Sequence, residues 1–191
     1  MKSLLIGLSL ASVMLGTSAH AAPANFLVVP GQRIGQTPLG PQGSHTLAHL
    51  PPPYRADAGM SQRYFVWVSP ASSTGHRNTL FIHATLNGAL NVQPLNGLTF
   101  DVIRVTSPVF HTASGAASGS TFAQIHQRFP QAASVSNQPA IYDDVQHGIA
   151  FEFAHIPNSH SRCIAVMVHP SGQSYLANAA QVQDLLQSPP P

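Results

Sequence analysis

The sequence predicts an α+β fold of two tandem units, each a short helix packed on an antiparallel sheet, which we expect to join as one continuous sheet. Short aromatic and β-branched runs alternate with turn residues, a pattern typical of antiparallel strands. Two short helical patterns each end at a proline. Loop, helix and about three strands follow in the same order in both halves, which predicts a tandem repeat.

The chain is unusually poor in fixed charge. Of its 191 residues, 43% are hydrophobic and 7% are charged, against about 25% charged in an ordinary domain. Such a chain is too apolar for a disordered protein and lacks the basic stripe of a nucleic-acid-binding protein. A single cysteine excludes a disulfide scaffold. We therefore expect a folded domain without a nucleic-acid partner.

The first 21 residues have the pattern of a secretory signal peptide. Lys2 precedes an uncharged apolar run over residues 4–15, and Ala19-His20-Ala21 matches the small-x-small cleavage pattern. The run is shorter than the roughly 20 residues that span a bilayer, and no cysteine lies at the cleavage site to carry a lipid. We expect cleavage after Ala21 or Ala22 and a periplasmic or secreted protein with neither a membrane span nor a lipid anchor.

Cleavage at this site leaves a mature chain with seven arginines, six acidic residues and ten histidines. Histidine side chains gain charge near pH 6.5. The hypothesis is that the net charge of the mature protein rises steeply between about pH 7 and pH 5.

The first predicted unit covers residues 22–106, including an N-terminal extension. Ser44 is the expected N-cap of a helix over residues 45–50 that Pro51-Pro52-Pro53 ends. The predicted strands are residues 26–29, 62–68, 79–86 and 98–105.

The second predicted unit covers residues 107–172. Ser120 or Thr121 is the expected cap of a helix whose apolar face carries Phe122, Ile125 and Phe129 and which Pro130 ends. The predicted strands are residues 140–145, 148–155 and 162–169. Residues 173–191 are expected to form a closing helix, over 177–187, and a Pro-rich tail.

Residues 108–172 carry a resemblance to known exported proteins. The segments Ser-Gly-Ala-Ala-Ser-Gly-Ser-Thr-Phe-Ala-Gln-Ile-His-Gln-Arg-Phe-Pro and Gly-Ile-Ala-Phe-Glu-Phe-Ala resemble a bacterial helix-plus-antiparallel-sheet repeat. It occurs in outer-membrane assembly lipoproteins of the BamE/SmpA type and in the β-lactamase-inhibitor-like family. The chain lacks the lipid-bearing cysteine of the first and the paired cysteines of the second. The resemblance implies fold and compartment more than function.

Histidines suggest one alternative function, a small metal-binding protein or metal-dependent enzyme. His147, His155, His160 and His169 fall at the ends of neighbouring predicted strands, where they can converge. His45 and His49 also have a spacing that holds zinc on an α-helix, but Thr46 replaces the glutamate of the metalloprotease motif. The scatter of the histidines and the single glutamate, Glu152, favour surface or strand-end histidines instead.

Other signals for chemistry are weaker. Ser118 does not fit the strand–turn–helix elbow of a hydrolase, and the Gly-rich loop 115–121 lacks the lysine of a phosphate loop. Asp143 and Asp144 are neighbours on a strand and point to opposite faces. Cys163 lies in an apolar run, which predicts a buried structural thiol. We therefore expect no cofactor and favour a non-enzymatic protein.

The main functional prediction concerns one face of the first sheet. If the apolar faces pack on the helices, the opposite face exposes an aromatic and arginine patch typical of interaction surfaces. Its residues are Arg63, Phe65, Trp67, Phe81 and His83. The sequence thus predicts an exported binding module for a protein or a small ligand, with an envelope or extracellular partner. A second core layer and a purely structural role in an envelope complex are the alternatives.

Overall fold

A computed structural model describes residues 24–59, 61–73, 75, 77–86 and 97–174. The predicted signal peptide and the predicted closing helix lie outside these residues. Within them, no helix is long and apolar enough to cross a membrane.

The fold is mostly β, so the predicted α+β fold of two helix-on-sheet units is wrong. Helical structure in the described residues comprises two 3₁₀ segments, Ala24–Phe26 and Pro41–His49, and one α-helix, α1 (Phe122–Arg128). Such short helices cannot form a layer over a large sheet. Several stretches that the sequence pattern assigned to loops also pair as strands. The strands are β1 (Leu27–Val29), β2 (Arg33–Ile34), β3 (Thr37–Pro38), β4 (Arg55–Gly59), β5 (Gln62–Val68), β6 (Thr79–Leu86), β7 (Leu98–Val105), β8 (His111–Thr112), β9 (Ala133–Val135), β10 (Gln138–Asp144), β11 (Ile149–Phe153) and β12 (Cys163–Val168).

The strands form two sheets. The large sheet has eight strands in the order β4-β5-β6-β7-β12-β11-β10-β9, and all its neighbours are antiparallel. The small sheet has four strands in the order β3-β2-β1-β8, and its β1–β8 pair is parallel. The large sheet therefore runs without a break across the boundary predicted at residues 106 and 107.

Strand register explains which side chains share a face. Directly paired residues of antiparallel strands point to the same side. One apolar row crosses five strands of the large sheet and faces α1 and the small sheet; it consists of Phe65, Ile82, Ile103, Val168 and Ile149. The adjacent row lies on the opposite face and contains Val66, Phe81, Arg104, Met167 and Ala150. These residues are also buried, so core residues lie on both faces of the sheet.

The short helices pack on the first of these faces. Thr121 caps α1 in a capping box with Gln124, and Phe129 at the helix end contacts Phe151, with ring centroids 5.0 Å apart. The 3₁₀ segment Pro41–His49 begins after Gly40, so Ser44 is not its N-cap. A Cβ at Gly43 would overlap the ring of Phe100, because the segment lies directly on β7.

Candidate functional site

A groove of about 970 Å³ lies between the small sheet and one end of the large sheet. Its described lining residues come from β2, β3, β5, β6 and β7, from the segments beside them and from the first 3₁₀ segment. None of these residues carries a charge at neutral pH. The lining residues are Asn25, Phe26, Ile34, Gln36, Thr37, Leu50, Pro51, Pro52, Tyr54, Trp67, Val68, Ser69, Pro70, Asn78, Thr79, Leu80, Val105, Ser107 and Phe110.

Four aromatic side chains lie in the groove wall. Trp67, at the end of β5, is partly exposed and packs against Phe65, with ring centroids 5.9 Å apart. Phe26 is 41% exposed and meets Phe110 edge to face at 5.9 Å, and Tyr54 is 44% exposed. Exposed aromatic rings gathered in one concavity are typical of a binding site for an apolar ligand.

The triproline segment fixes the position of the Trp67 indole. Pro51 cannot continue the 3₁₀ segment, so the chain becomes extended from Leu50 onward. The indole Nε1 then donates a hydrogen bond to the carbonyl oxygen of Pro51 at 2.7 Å. The ring plane is thereby held along the groove wall while part of its surface stays open.

Two exposed carboxamide side chains lie side by side in the groove lining. Nε2 of Gln36 donates to Oδ1 of Asn25 at 2.8 Å, and both side chains are exposed. They are brought together by the turn between β2 and β3. There, Gly35 has a φ of +57° and donates its amide hydrogen to the carbonyl oxygen of Leu27 at 2.9 Å. The two carboxamides are polar and uncharged, and the partly exposed Arg33 lies beside them, where its guanidinium donates to the carbonyl oxygen of Gly35.

The five residues of the predicted patch do not share one surface. Phe65 and Trp67 pair with Ile82 and Leu80, and therefore face the small sheet and α1. Phe81 and His83 pair with Val66 and Tyr64 on the opposite face and are completely buried. Arg63 is partly exposed and donates to the neighbouring carbonyl oxygen of Gln62 at 2.9 Å. Of the five, Trp67 lines the groove.

His83 contacts a residue that sequence reasoning missed. Asp101 lies where the β6–β7 register shifts, and this irregularity brings its Oδ2 within 3.5 Å of His83 Nδ1. The alternation of polar and apolar residues along a strand does not predict such a shift. Asp101 was therefore not among the predicted site residues. Tyr64 covers the imidazole, with ring centroids 4.9 Å apart.

The four histidines of the metal hypothesis do not converge. His147 Nδ1 contacts Oδ2 of Asp144 at 2.8 Å, and His169 Nε2 contacts Oδ1 of Asp143 at 2.8 Å. His155 and His160 are exposed in the loop after β11. Among the described residues, no group of three or more His, Cys, Asp or Glu side chains is arranged to hold a metal ion. His45 and His49 lie on a 3₁₀ segment with three residues per turn, where the i, i+4 spacing does not align them.

Cys163 is a free, buried thiol, as its apolar run predicts. Burial raises its pKa to about 12, so the reactive thiolate is strongly disfavoured. Ser118 donates to the carbonyl oxygen of Ile164 at 3.2 Å, so its hydroxyl links the 115–121 loop to β12.

Comparison with known proteins adds little about function. No protein-family model matches the chain, and no curated protein matches it. Among solved structures, the uncharacterised protein YfeY from Escherichia coli is similar at 15% sequence identity and a TM-score of 0.35. That similarity covers 75% of this chain and 97% of YfeY. The resemblance to BamE/SmpA-type and β-lactamase-inhibitor-like proteins therefore stays a prediction.

Proposed function

We propose that the protein is an exported, non-enzymatic binding protein that holds an uncharged, mainly apolar small molecule in the groove between its two sheets. The observation that carries the proposal is the lining: exposed aromatic rings around a concavity whose described residues carry no charge. A volume of about 970 Å³ is in the range of small-molecule sites.

Physical chemistry favours an apolar ligand over a charged one. Burial of apolar surface stabilises a complex by roughly 25 cal/mol per Å² before the cost of association is subtracted. A charged ligand would lose its hydration and meet no opposite charge among the described lining residues. The rings of Phe26, Tyr54 and Trp67 supply the contact area.

Export remains part of the proposal, and it is supported by the signal-peptide pattern of residues 1–21. The proposed location is the periplasm or the medium. N-terminal sequencing of the protein recovered from these fractions is expected to start at Ala22 or Pro23. Recovery of a chain that still begins at Met1 from the cytoplasm would refute export but would leave the binding proposal unaffected.

The binding proposal is tested with N-phenyl-1-naphthylamine, a neutral apolar fluorophore. Trp67 is the single tryptophan of the chain, so its emission reports directly on an occupant of the groove. We expect saturable one-to-one binding with energy transfer from Trp67 to the fluorophore.

Two groove variants and one control complete the experiment. Phe26→Asp and Tyr54→Asp each place a carboxylate in the wall and should weaken binding at least tenfold, about 1.4 kcal/mol. Ile156→Asp changes a 69% exposed residue outside the lining and should leave binding unchanged. Equal affinities in all four proteins, or no saturable binding, would exclude the groove as the site.

A further inference from the structure

We infer that Asn25 and Gln36 select the head group of the ligand, and that this ligand is an apolar small molecule carrying one uncharged amide or hydroxyl group. The inference rests on the proposed function, because the two side chains line the same groove.

The hydrogen-bonding capacity of the pair supports this assignment. The bond from Gln36 Nε2 to Asn25 Oδ1 fixes the two carboxamides relative to each other at 2.8 Å. It leaves Gln36 Oε1 able to accept and Asn25 Nδ2 able to donate. An amide or a hydroxyl group both donates and accepts, so one such group can satisfy both side chains at once.

The backbone that carries the pair is held in place before any ligand arrives. Gly35 adopts a left-handed φ of +57° at the turn that precedes Gln36. A Cβ at this glycine would come within 2.6 Å of the carbonyl oxygen of Asn25 and 3.0 Å of the Phe110 ring. The turn therefore fits closely against the backbone of Asn25 and the aromatic wall, which reduces the ordering cost of binding.

The lining of the groove disfavours a charged head group, and its volume limits the size of the occupant. No described lining residue offers a charge to a carboxylate or an ammonium group. A groove of about 970 Å³ accommodates a free single-chain amphiphile and not a bilayer surface.

The test measures how three ligands of one chain length displace N-phenyl-1-naphthylamine: decanamide, methyl decanoate and the decanoate ion. Decanamide donates and accepts, methyl decanoate only accepts, and decanoate is charged. In the unaltered protein, decanoate should bind at least tenfold more weakly than decanamide. The double variant Asn25→Leu/Gln36→Leu should weaken decanamide about tenfold. It should weaken methyl decanoate clearly less, because the ester can accept from Asn25 Nδ2 but cannot donate to Gln36 Oε1.

A matched control removes an exposed carboxamide elsewhere. Asn137 lies in the turn between β9 and β10, outside the groove lining, and Asn137→Leu should leave all three ligands unaffected. Thermal unfolding of each variant confirms that the fold is retained.

The outcomes separate this inference from the proposed function. If the fluorophore binds in the groove but the double variant weakens decanamide and methyl decanoate equally, or neither, the head-group role is wrong and the groove still binds apolar ligands. If the fluorophore does not bind at all, both proposals fail. Co-flotation of the protein with phosphatidylcholine vesicles would overturn the assignment to a free small molecule.

Discussion

His83 and Asp101 lie side by side in the large sheet, with Nδ1 of the imidazole 3.5 Å from Oδ2 of the carboxylate. Burial lowers the pKa of His83 to about 4. Burial also raises the pKa of Asp101, although hydrogen bonds with Thr85 act in the opposite direction. The imidazole is therefore neutral at pH 7, and the contact is not an ion pair under that condition.

Acid should destabilise the protein through His83. Because the folded pKa lies below the unfolded value of about 6.5, the unfolded chain binds the proton first, and stability is lost as the pH falls from 6.5 towards 4. Asp101, with its raised pKa, offsets part of this loss at the acid end of the range. We expect urea unfolding to show a loss of about 2 kcal/mol between pH 7 and pH 4.5.

His83→Leu should remove most of this pH dependence, whereas His126→Leu, at an exposed position on α1, should retain it. A slope that persists in His83→Leu would assign the acid sensitivity to other groups.

Loss of one partner of the Arg104–Glu152 ion pair should destabilise the protein much more than loss of both partners. Arg104 Nε donates to Glu152 Oε2 at 2.8 Å, and the arginine side chain is 6% exposed. Glu152→Gln leaves a buried guanidinium without its carboxylate and should cost about 3 kcal/mol in chemical denaturation. The double variant Arg104→Met/Glu152→Leu should recover most of that loss, since it removes both charges. A double variant no more stable than Glu152→Gln would contradict this view of the pair.

Cys163 should be unreactive in the folded protein. Its thiol is buried, and its pKa is raised to about 12 by burial. Ellman's reagent should label it stoichiometrically in guanidinium chloride and only slowly under native conditions. The neighbouring Ile164 is 38% exposed, so an Ile164→Cys variant on a Cys163→Ala background provides the control that labels rapidly. Fast native labelling of Cys163 itself would show that this end of β12 opens.

Gly148 should tolerate no side chain. It has a φ of +73°, and a Cβ there would overlap the carbonyl oxygen of His169 and lie 2.8 Å from the Cα of Gly31. Gly148→Ala should therefore lower the free energy of unfolding by 3 kcal/mol or more, roughly the sum of backbone strain and displaced packing. Gly119 has a φ of +90° but open space around it, so Gly119→Ala should cost only about 1 kcal/mol. Equal costs at both positions would mean that the close packing at Gly148 relaxes easily.

The strands with strong side-chain patterns could be predicted from the sequence. Residues 62–68, 79–86 and 98–105 match β5, β6 and β7, because aromatic and β-branched residues alternate there over seven or eight positions. The helix at Phe122–Arg128 was also predicted, since its capping residue, apolar spacing and terminal proline agree. Strands such as β2, β3 and β8 are two residues long, too short to show any periodicity. Their pairing depends on tertiary contacts. Because these strands could not be predicted, the fold class was predicted wrongly.

The candidate site was predicted only at Trp67. Its prediction depended on residue type, whereas the groove depends on how the small sheet lies against the large one. Phe26 and Tyr54 are separated from Trp67 by stretches with no shared motif, so only the folded chain brings them together. The predicted patch divided between two faces because it assumed that the apolar faces of both strands pack on the helices. The observed register instead places Phe65 beside Ile82 on one face and Phe81 beside Val66 on the other.

The position of β7 next to β12 has a consequence for folding. Every other neighbouring pair in the large sheet joins strands that are consecutive in the chain, across loops no longer than residues 87–97. The β7–β12 pair instead closes the long segment 106–162, so its loop-closure cost is the largest in the sheet. Hairpins on either side should therefore form first and meet late along this seam. Until they meet, two of the most apolar strands present unpaired edges, and refolding yield should fall as protein concentration rises.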